Sequence, residues 1–115
     1  MDFSYTTEVK PNLVWVCFSG DLTERHQAEE LLNEIQTCVQ NGNKKFILDL
    51  SQLRYMNSSG INILLNVLTK SRNAGGETVI ANLPRRIKDL MVITKLNTVF
   101  KVANNNEEAE ELIGS

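Results

Sequence analysis

The stretch that decides the fold is FILDLSQLRYMNSSG, residues 46–60. Residues 46–50 are apolar except for Asp49, which predicts a strand that lies in the middle of a sheet and is covered on both faces. The stretch ends in three consecutive helix N-cap formers and a glycine, residues 57–60. We therefore expect residues 51–60 to lead from the carboxyl end of a central strand into a helix, where α/β proteins commonly hold ligands.

Segments of alternating and of helical periodicity flank this stretch on both sides. Strands are predicted over residues 3–7, 13–19, 78–81 and 99–102. Helices are predicted to begin at Thr23, near Gly60, at Pro84 and at residues 104–106. Gly20 and Asp21 are expected to end the second strand, and Glu34 is expected to face water on the first helix.

The resulting element order is β-β-α-β-α-β-α-β-α, which predicts a single α/β domain over residues 1–115. Strands that are separated by helices pair in parallel through right-handed crossovers, whereas the first two strands are close enough to form a hairpin. The expected fold is therefore a mixed five-stranded sheet with four helices.

Composition and charge exclude several classes of protein. Twelve basic residues against fourteen acidic ones leave a net charge of −2, which argues against nucleic acid as a partner. The longest apolar run, residues 13–18, falls far short of the roughly 20 residues of a membrane span. No secretory signal is visible, and Cys17 and Cys38 have no metal-binding or redox spacing, so we expect a cytoplasmic protein.

Residues 49–61, DLSQLRYMNSSGI, resemble the signature of bacterial anti-sigma-factor antagonists, the STAS domain family. Gly-Asp-Leu at residues 20–22 and Gly-Gly-Glu at residues 75–77 lie where that family has similar residues. In that family, the first serine of the pair is phosphorylated by a partner serine kinase that is also an anti-sigma factor. The resemblance therefore implies phosphorylation at Ser58, with Ser59 as the alternative site.

The resemblance also implies the function. The unphosphorylated form would bind an anti-sigma factor serine kinase and release its sigma factor, phosphorylation of Ser58 would abolish that binding, and a serine phosphatase would reverse it. The implied partner surface consists of Asp21, Leu22, Thr23, Asn57, Ser58, Ser59 and Gly60. The positions of Asn62 and Ile63 on the outer side of the second helix add these two residues to it. The resemblance implies no catalytic residue, no metal and no cofactor. We expect a monomer when the protein is free of its partner.

Two positions depart from the family pattern. This chain has Asn57 where the family often has aspartate before the serine pair, and Thr23 where the family often has an acidic residue. Each difference removes a negative charge from the expected partner surface. They leave open a second function, a scaffold or subunit module of the same fold in a sensory or transport complex, without control by phosphorylation.

Several residues also have plain structural interpretations. Ser58 and Ser59 could serve only as helix caps. Ile63 and Val67 fall opposite the main apolar stripe of their helix, where they form either an exposed apolar patch or a surface that another helix covers. An enzyme with Ser58 as nucleophile is disfavoured, because the only imidazole base in the chain is His26, on another element.

Overall fold

The computed structural model describes residues 2–114. Its sheet contains β1 (Ser4–Val9), β2 (Val14–Leu22), β3 (Lys45–Met56), β4 (Glu77–Ala81) and β5 (Lys101–Ala103). Its helices are α1 (Glu29–Gln40), α2 (Ser58–Asn73), α3 (Arg85–Ile93) and α4 (Asn106–Leu112), and short 3-10 turns occupy Arg25–Ala28 and Leu96–Thr98. The predicted order of elements is confirmed.

The five strands lie side by side in chain order, with β3 in the middle. β1 and β2 form the antiparallel hairpin, and β2, β3, β4 and β5 are parallel neighbours. The mixed five-stranded sheet and the central position of the segment that begins with Phe46 are therefore both confirmed.

Two apolar clusters cover the two faces of the sheet. The larger one packs Phe18, Phe46 and Leu48 of the sheet against apolar side chains of α1, α2 and α3. The smaller one packs Trp15 and Ile47 against α4. β3 is thus buried from both sides, as the apolar run at residues 46–50 predicts, and it carries the chain from the core to the surface at its carboxyl end.

β2 and β3 are both longer than predicted, because they continue to pair beyond the apolar run. Between the pairs Cys17–Asp49 and Ser19–Gln52, β3 gains one extra residue. It gains a second between Gly20–Leu53 and Asp21–Tyr55. These bulges place Leu50, Leu53 and Met56 on the buried side at a spacing of three residues. The continuation of the strand therefore lacks the two-residue alternation by which a strand is recognised in a sequence. The prediction that residues 20–21 end β2 and residues 51–56 leave the sheet is wrong.

The start of the first helical segment also differs from the prediction. Thr23 is not its N-cap, because a 3-10 turn over Arg25–Ala28 comes first and Glu24 caps that turn. Glu34 on α1 does not face open water, since it accepts hydrogen bonds from the Tyr5 hydroxyl at 2.9 Å and the Thr7 hydroxyl at 2.7 Å. The exposed side of α1 is therefore tied to the edge strand β1.

Candidate functional site

Asn57 holds the first turn of α2. Its side-chain oxygen Oδ1 accepts hydrogen bonds from the backbone N–H of Ser59 at 3.0 Å and of Gly60 at 3.2 Å. Asn57 has an extended backbone, which is the usual conformation of an N-cap residue. The cap of α2 is therefore supplied by Asn57 alone, and Ser58 becomes the first helical residue.

The same Asn57 side chain joins α2 to the end of β2. Its Nδ2 atom donates a hydrogen bond to the backbone carbonyl of Thr23 at 3.0 Å. The Asn57 backbone N–H lies 3.4 Å from the carbonyl oxygen of Leu22, at the long end of hydrogen-bonding range. The two segments that the resemblance assigns to the partner surface are thus brought together by direct contacts.

Gln27 shapes the segment after β2, a role that the sequence analysis missed. Its side-chain oxygen accepts from the backbone N–H groups of Thr23 and Glu24, each at 2.9 Å, and its Nε2 donates to the carbonyl of Asp21 at 3.2 Å. The signal was present, since glutamine three residues after a capping glutamate is the spacing of a capping box. Gln27 therefore fixes the backbone of residues 21–24.

Gly60 brings α2 close to the rest of the domain. A Cβ atom at this position would lie 2.3 Å from Cγ of Met56 and 2.6 Å from the carbonyl oxygen of Leu22. Gly60 was expected on the partner surface, but the space that its missing side chain leaves is occupied by the protein's own β2 and β3. The absence of a side chain at Gly60 is what allows the first turn of α2 to lie this close to the Leu22 carbonyl and the Met56 side chain.

Ser58 is the exposed hydroxyl of this region. Its side chain makes no hydrogen bond with any residue between 2 and 114, and it stands at the first position of α2. Ser59 is half-buried. Since Asn57 already caps the helix, the plain interpretation of Ser58 as a helix cap is wrong, and its hydroxyl has no structural use in the fold.

The remaining residues of the predicted partner surface divide by exposure. Asn62 is exposed, and Asp21 and Thr23 are half-buried. The side chains of Leu22 and Ile63 are fully buried, so they support the surface from below and do not form part of it. Val67 is fully buried as well, because the same cluster that contains α1 also covers this side of α2. The possibility of an exposed patch at Ile63 and Val67 is therefore excluded.

The other candidate reactive groups lie outside this site. Burial is the main cause that raises the pKa of both cysteine thiols, and the negative charge of Asp49 adds to it at Cys17. His26 is exposed and pairs with Glu24 at 3.1 Å.

Within residues 2–114, no cluster of three or more His, Cys, Asp or Glu side chains could hold a metal ion. In the same range, no helix is long and apolar enough to span a membrane.

Comparison with known proteins supplies the family. Residues 4–109 match the family of the STAS domain. The chain is a STAS domain. It is 31% identical over 93 residues to BtrV, a candidate anti-sigma factor antagonist of Bordetella bronchiseptica, and that match covers 81% of this chain and 79% of BtrV.

Solved structures show the same fold. The anti-sigma factor antagonist SpoIIAA in its unphosphorylated form has a TM-score of 0.72 and 21% identity to this STAS domain, over 95% of this chain and 94% of SpoIIAA. Bacillus SpoIIAA in its phosphorylated form has a TM-score of 0.74 at 21% identity, over 96% and 99% of the two chains. The fold expected from residues 49–61 is confirmed.

Proposed function

We propose that this STAS domain is an anti-sigma factor antagonist that is controlled by phosphorylation at Ser58. The unphosphorylated form binds an anti-sigma factor serine kinase and thereby releases a sigma factor. Phosphorylation ends the binding, and a serine phosphatase restores it. The family membership and the similarity to BtrV support the antagonist role, while the geometry around Asn57 supports the choice of Ser58.

The observation that carries the proposal is that one residue caps α2 while the next residue exposes a free hydroxyl. Asn57 satisfies the N–H groups of the first turn of α2, and Ser58 stands beside it with an exposed hydroxyl that the fold does not use. A kinase needs such a hydroxyl, because the attacking oxygen must be free to lie in line with the γ-phosphate. Ser59 is less suited, because its side chain is half-buried.

The effect of phosphorylation follows from charge. A phosphoserine carries about −1.5 to −2 charges at pH 7. Placed inside a close protein interface, that charge loses its hydration and lowers the affinity of the partner unless a cation compensates for it. At the start of α2 the same charge faces the positive end of a helix, so the fold itself tolerates it. The switch is therefore a change of surface chemistry and leaves the fold intact.

The departure at position 57 has a structural explanation. Aspartate could accept the two N–H bonds of α2, but only the amide of asparagine can also donate to the carbonyl of Thr23. The asparagine is therefore compatible with a phosphorylated member of the family. It no longer favours the alternative function as a scaffold.

The test uses an anti-sigma factor serine kinase from the same genome, purified and supplied with ATP and Mg²⁺. We expect phosphate on wild type and on Ser59→Ala, and none on Ser58→Ala, by mass spectrometry of the intact chain and its peptides. Binding of the kinase, measured by calorimetry, should be retained by Ser58→Ala and weakened at least about tenfold by Ser58→Asp.

Thr69→Asp is the matched control for charge. It adds the same carboxylate to an exposed position of α2 roughly 16 Å further along the helix, and it should leave binding unchanged. Equal binding by Ser58→Asp and wild type, together with an absence of phosphate on Ser58, would overturn the proposal. A complex that forms regardless of the charge at residue 58 would then favour the scaffold function.

A further inference from the structure

A cleft of about 590 Å³ lies between the end of β3 and helix α3. Its apolar lining includes the buried Met56 and Ile87 and the half-buried Leu90. Two exposed apolar side chains extend this lining, since Tyr55 is 46% exposed and Ile93 is 77% exposed. The cleft is thus lined by apolar side chains of β3 and α3, and its volume lies within the size range of ligand pockets in proteins.

Three charged side chains also line the cleft. Arg85 and Arg86 are exposed, and neither forms an ion pair or hydrogen bond with another side chain or backbone group within residues 2–114. Asp89, one turn further along α3, is the single acidic residue of the lining. The formal charge around the cleft is therefore +1, which suits one monoanionic group better than a phosphate dianion.

We propose that this cleft binds a free fatty acid, with its carboxylate at Arg85 and Arg86 and its chain along the apolar wall. Planar guanidinium groups bind carboxylates through paired, charge-assisted hydrogen bonds, and these two are not committed elsewhere in the described structure. The chain would cover Tyr55 and Ile93, whose exposure in the free protein is costly.

The cleft is open to solvent, and its volume gives the scale of the chain that it can cover. At roughly 30 Å³ per non-hydrogen atom, the share of a water molecule in the liquid, a cleft of 590 Å³ holds about 20 such atoms. A saturated fatty acid of about 12 to 16 carbons fits within that space. A shorter acid leaves part of the apolar wall uncovered, so affinity should rise with chain length up to this range.

This inference is independent of the phosphorylation of Ser58. It nevertheless places a ligand beside the candidate site, because Asn57 lines the cleft as well as capping α2. Occupancy should therefore be detected at the backbone N–H groups of Ser58 and Ser59, even if no kinase acts on this protein.

The test is a titration of the ¹⁵N-labelled chain with laurate below its micelle concentration, followed by NMR. We expect saturable shifts at the amides of Tyr55, Leu90 and Ile93, with a dissociation constant of about 100 μM or tighter. Dodecyltrimethylammonium, which has the same chain and a cationic head, should not produce them. Equal binding of the two amphiphiles, or shifts spread evenly over the surface, would overturn the proposal.

Two variants test the roles of head and chain. Arg85→Gln with Arg86→Gln should weaken laurate about fivefold, whereas Lys88→Gln, an exposed cation of the same helix outside the cleft, should not. Ile93→Ser should weaken binding without unfolding the protein, because Ile93 is largely exposed. If the double variant binds like Lys88→Gln, the carboxylate is not held at these arginines.

Sedimentation with lipid vesicles distinguishes binding of a free fatty acid from binding to a lipid surface. Wild type is sedimented with vesicles of phosphatidylcholine that contain phosphatidylglycerol. The proposal requires laurate to bind in solution and the protein to stay in the supernatant. Co-sedimentation without binding of monomeric laurate would identify a membrane-contact surface, and it would overturn the proposal.

Discussion

Asn57 and Thr23 are joined by a hydrogen bond of 3.0 Å, from the side-chain amide of one to the backbone carbonyl of the other. The residues lie 34 positions apart in the sequence, and this bond connects the segment after β2 to the start of α2. The other half of the Asn57 amide caps α2. A single side chain therefore sets the position of Ser58 and ties it to the neighbouring loop, whose backbone Gln27 holds.

Replacement of Asn57 separates these two tasks. Asn57→Asp keeps an acceptor for the first turn of α2 but loses the donor and turns an oxygen towards the carbonyl of Thr23. Asn57→Ala loses both functions. We expect Asn57→Ala to lower the free energy of unfolding by about 1–3 kcal/mol, and Asn57→Asp to lower it by less. Urea unfolding monitored at Trp15 measures both changes.

Hydrogen exchange supplies the control for this pair. Asn57→Asp should accelerate amide exchange at residues 23–24, whose N–H groups would then be held by Gln27 alone without the support of the bond from Asn57 to the Thr23 carbonyl. The first turn of α2 should remain protected, because aspartate still accepts from its N–H groups. Equal stability and equal exchange in Asn57→Asp and wild type would show that the bond to Thr23 has no role in holding the loop.

Gly60→Ala tests the close approach of α2 to β2 and β3. The added methyl group would lie 2.6 Å from the carbonyl oxygen of Leu22, which is backbone and cannot rotate away. We expect a loss of about 1–3 kcal/mol or more in the free energy of unfolding. Thermal unfolding followed by circular dichroism measures it.

Gly42→Ala is the matched control for the glycine substitution. Gly42 has a φ of 93° and no atom within 4 Å of a Cβ at that position, so alanine there adds only backbone strain of about 1–2 kcal/mol. A smaller loss for Gly60→Ala than for Gly42→Ala would contradict the steric explanation.

The order of the elements and the central place of β3 could be predicted from the sequence, because both depend on apolar periodicity. The resemblance of residues 49–61 to one family then identified the fold, and it placed Ser58 at the start of a helix. What periodicity could not predict is the continuation of β3 to Met56, because two bulges change the spacing of buried residues from two to three.

The candidate site was predictable in position but not in its internal contacts. The residue types at 57–60 indicate a helix start, yet three of them are N-cap formers and only the structure assigns the cap to Asn57. Ile63 was assigned to the partner surface because a helical wheel places it opposite the main stripe. The structure shows it fully buried, since α2 is packed on more than one side.

The raised pKa of Tyr5, whose hydroxyl donates to Glu34, is expected to make the free energy of unfolding depend on pH in the alkaline range. Burial is the main cause that raises the pKa of Tyr5 above its ordinary value of 10.0, and the hydrogen bond to Glu34 and its negative charge add to this effect. A raised pKa in the folded chain means that the stabilisation is complete below about pH 10 and is lost as the pH rises further. We expect the free energy of unfolding, from urea titrations, to fall above about pH 10.

Tyr5→Phe should remove this part of the pH dependence, at a cost of about 0.5–1.5 kcal/mol near neutral pH for the lost hydrogen bond. Glu34→Gln should reduce the dependence, because it removes the charge and keeps an acceptor for the tyrosine. An identical alkaline slope in wild type and Tyr5→Phe would assign the effect to other groups.

The charge at Ser58 should stabilise the fold, whatever it does to a partner. Ser58 is the first residue of α2, where a negative charge meets the positive end of the helix. We expect Ser58→Asp to raise the free energy of unfolding by about 0.3–1 kcal/mol at low salt, and Ser58→Lys to lower it by a similar amount.

Thr69→Asp, in the last turns of the same helix, should change the free energy of unfolding with the opposite sign to Ser58→Asp. Because salt screens these effects, the three differences should shrink together as ionic strength rises. A loss of stability in Ser58→Asp would mean that a phosphate at this position disturbs the fold, and a switch confined to the surface could not operate.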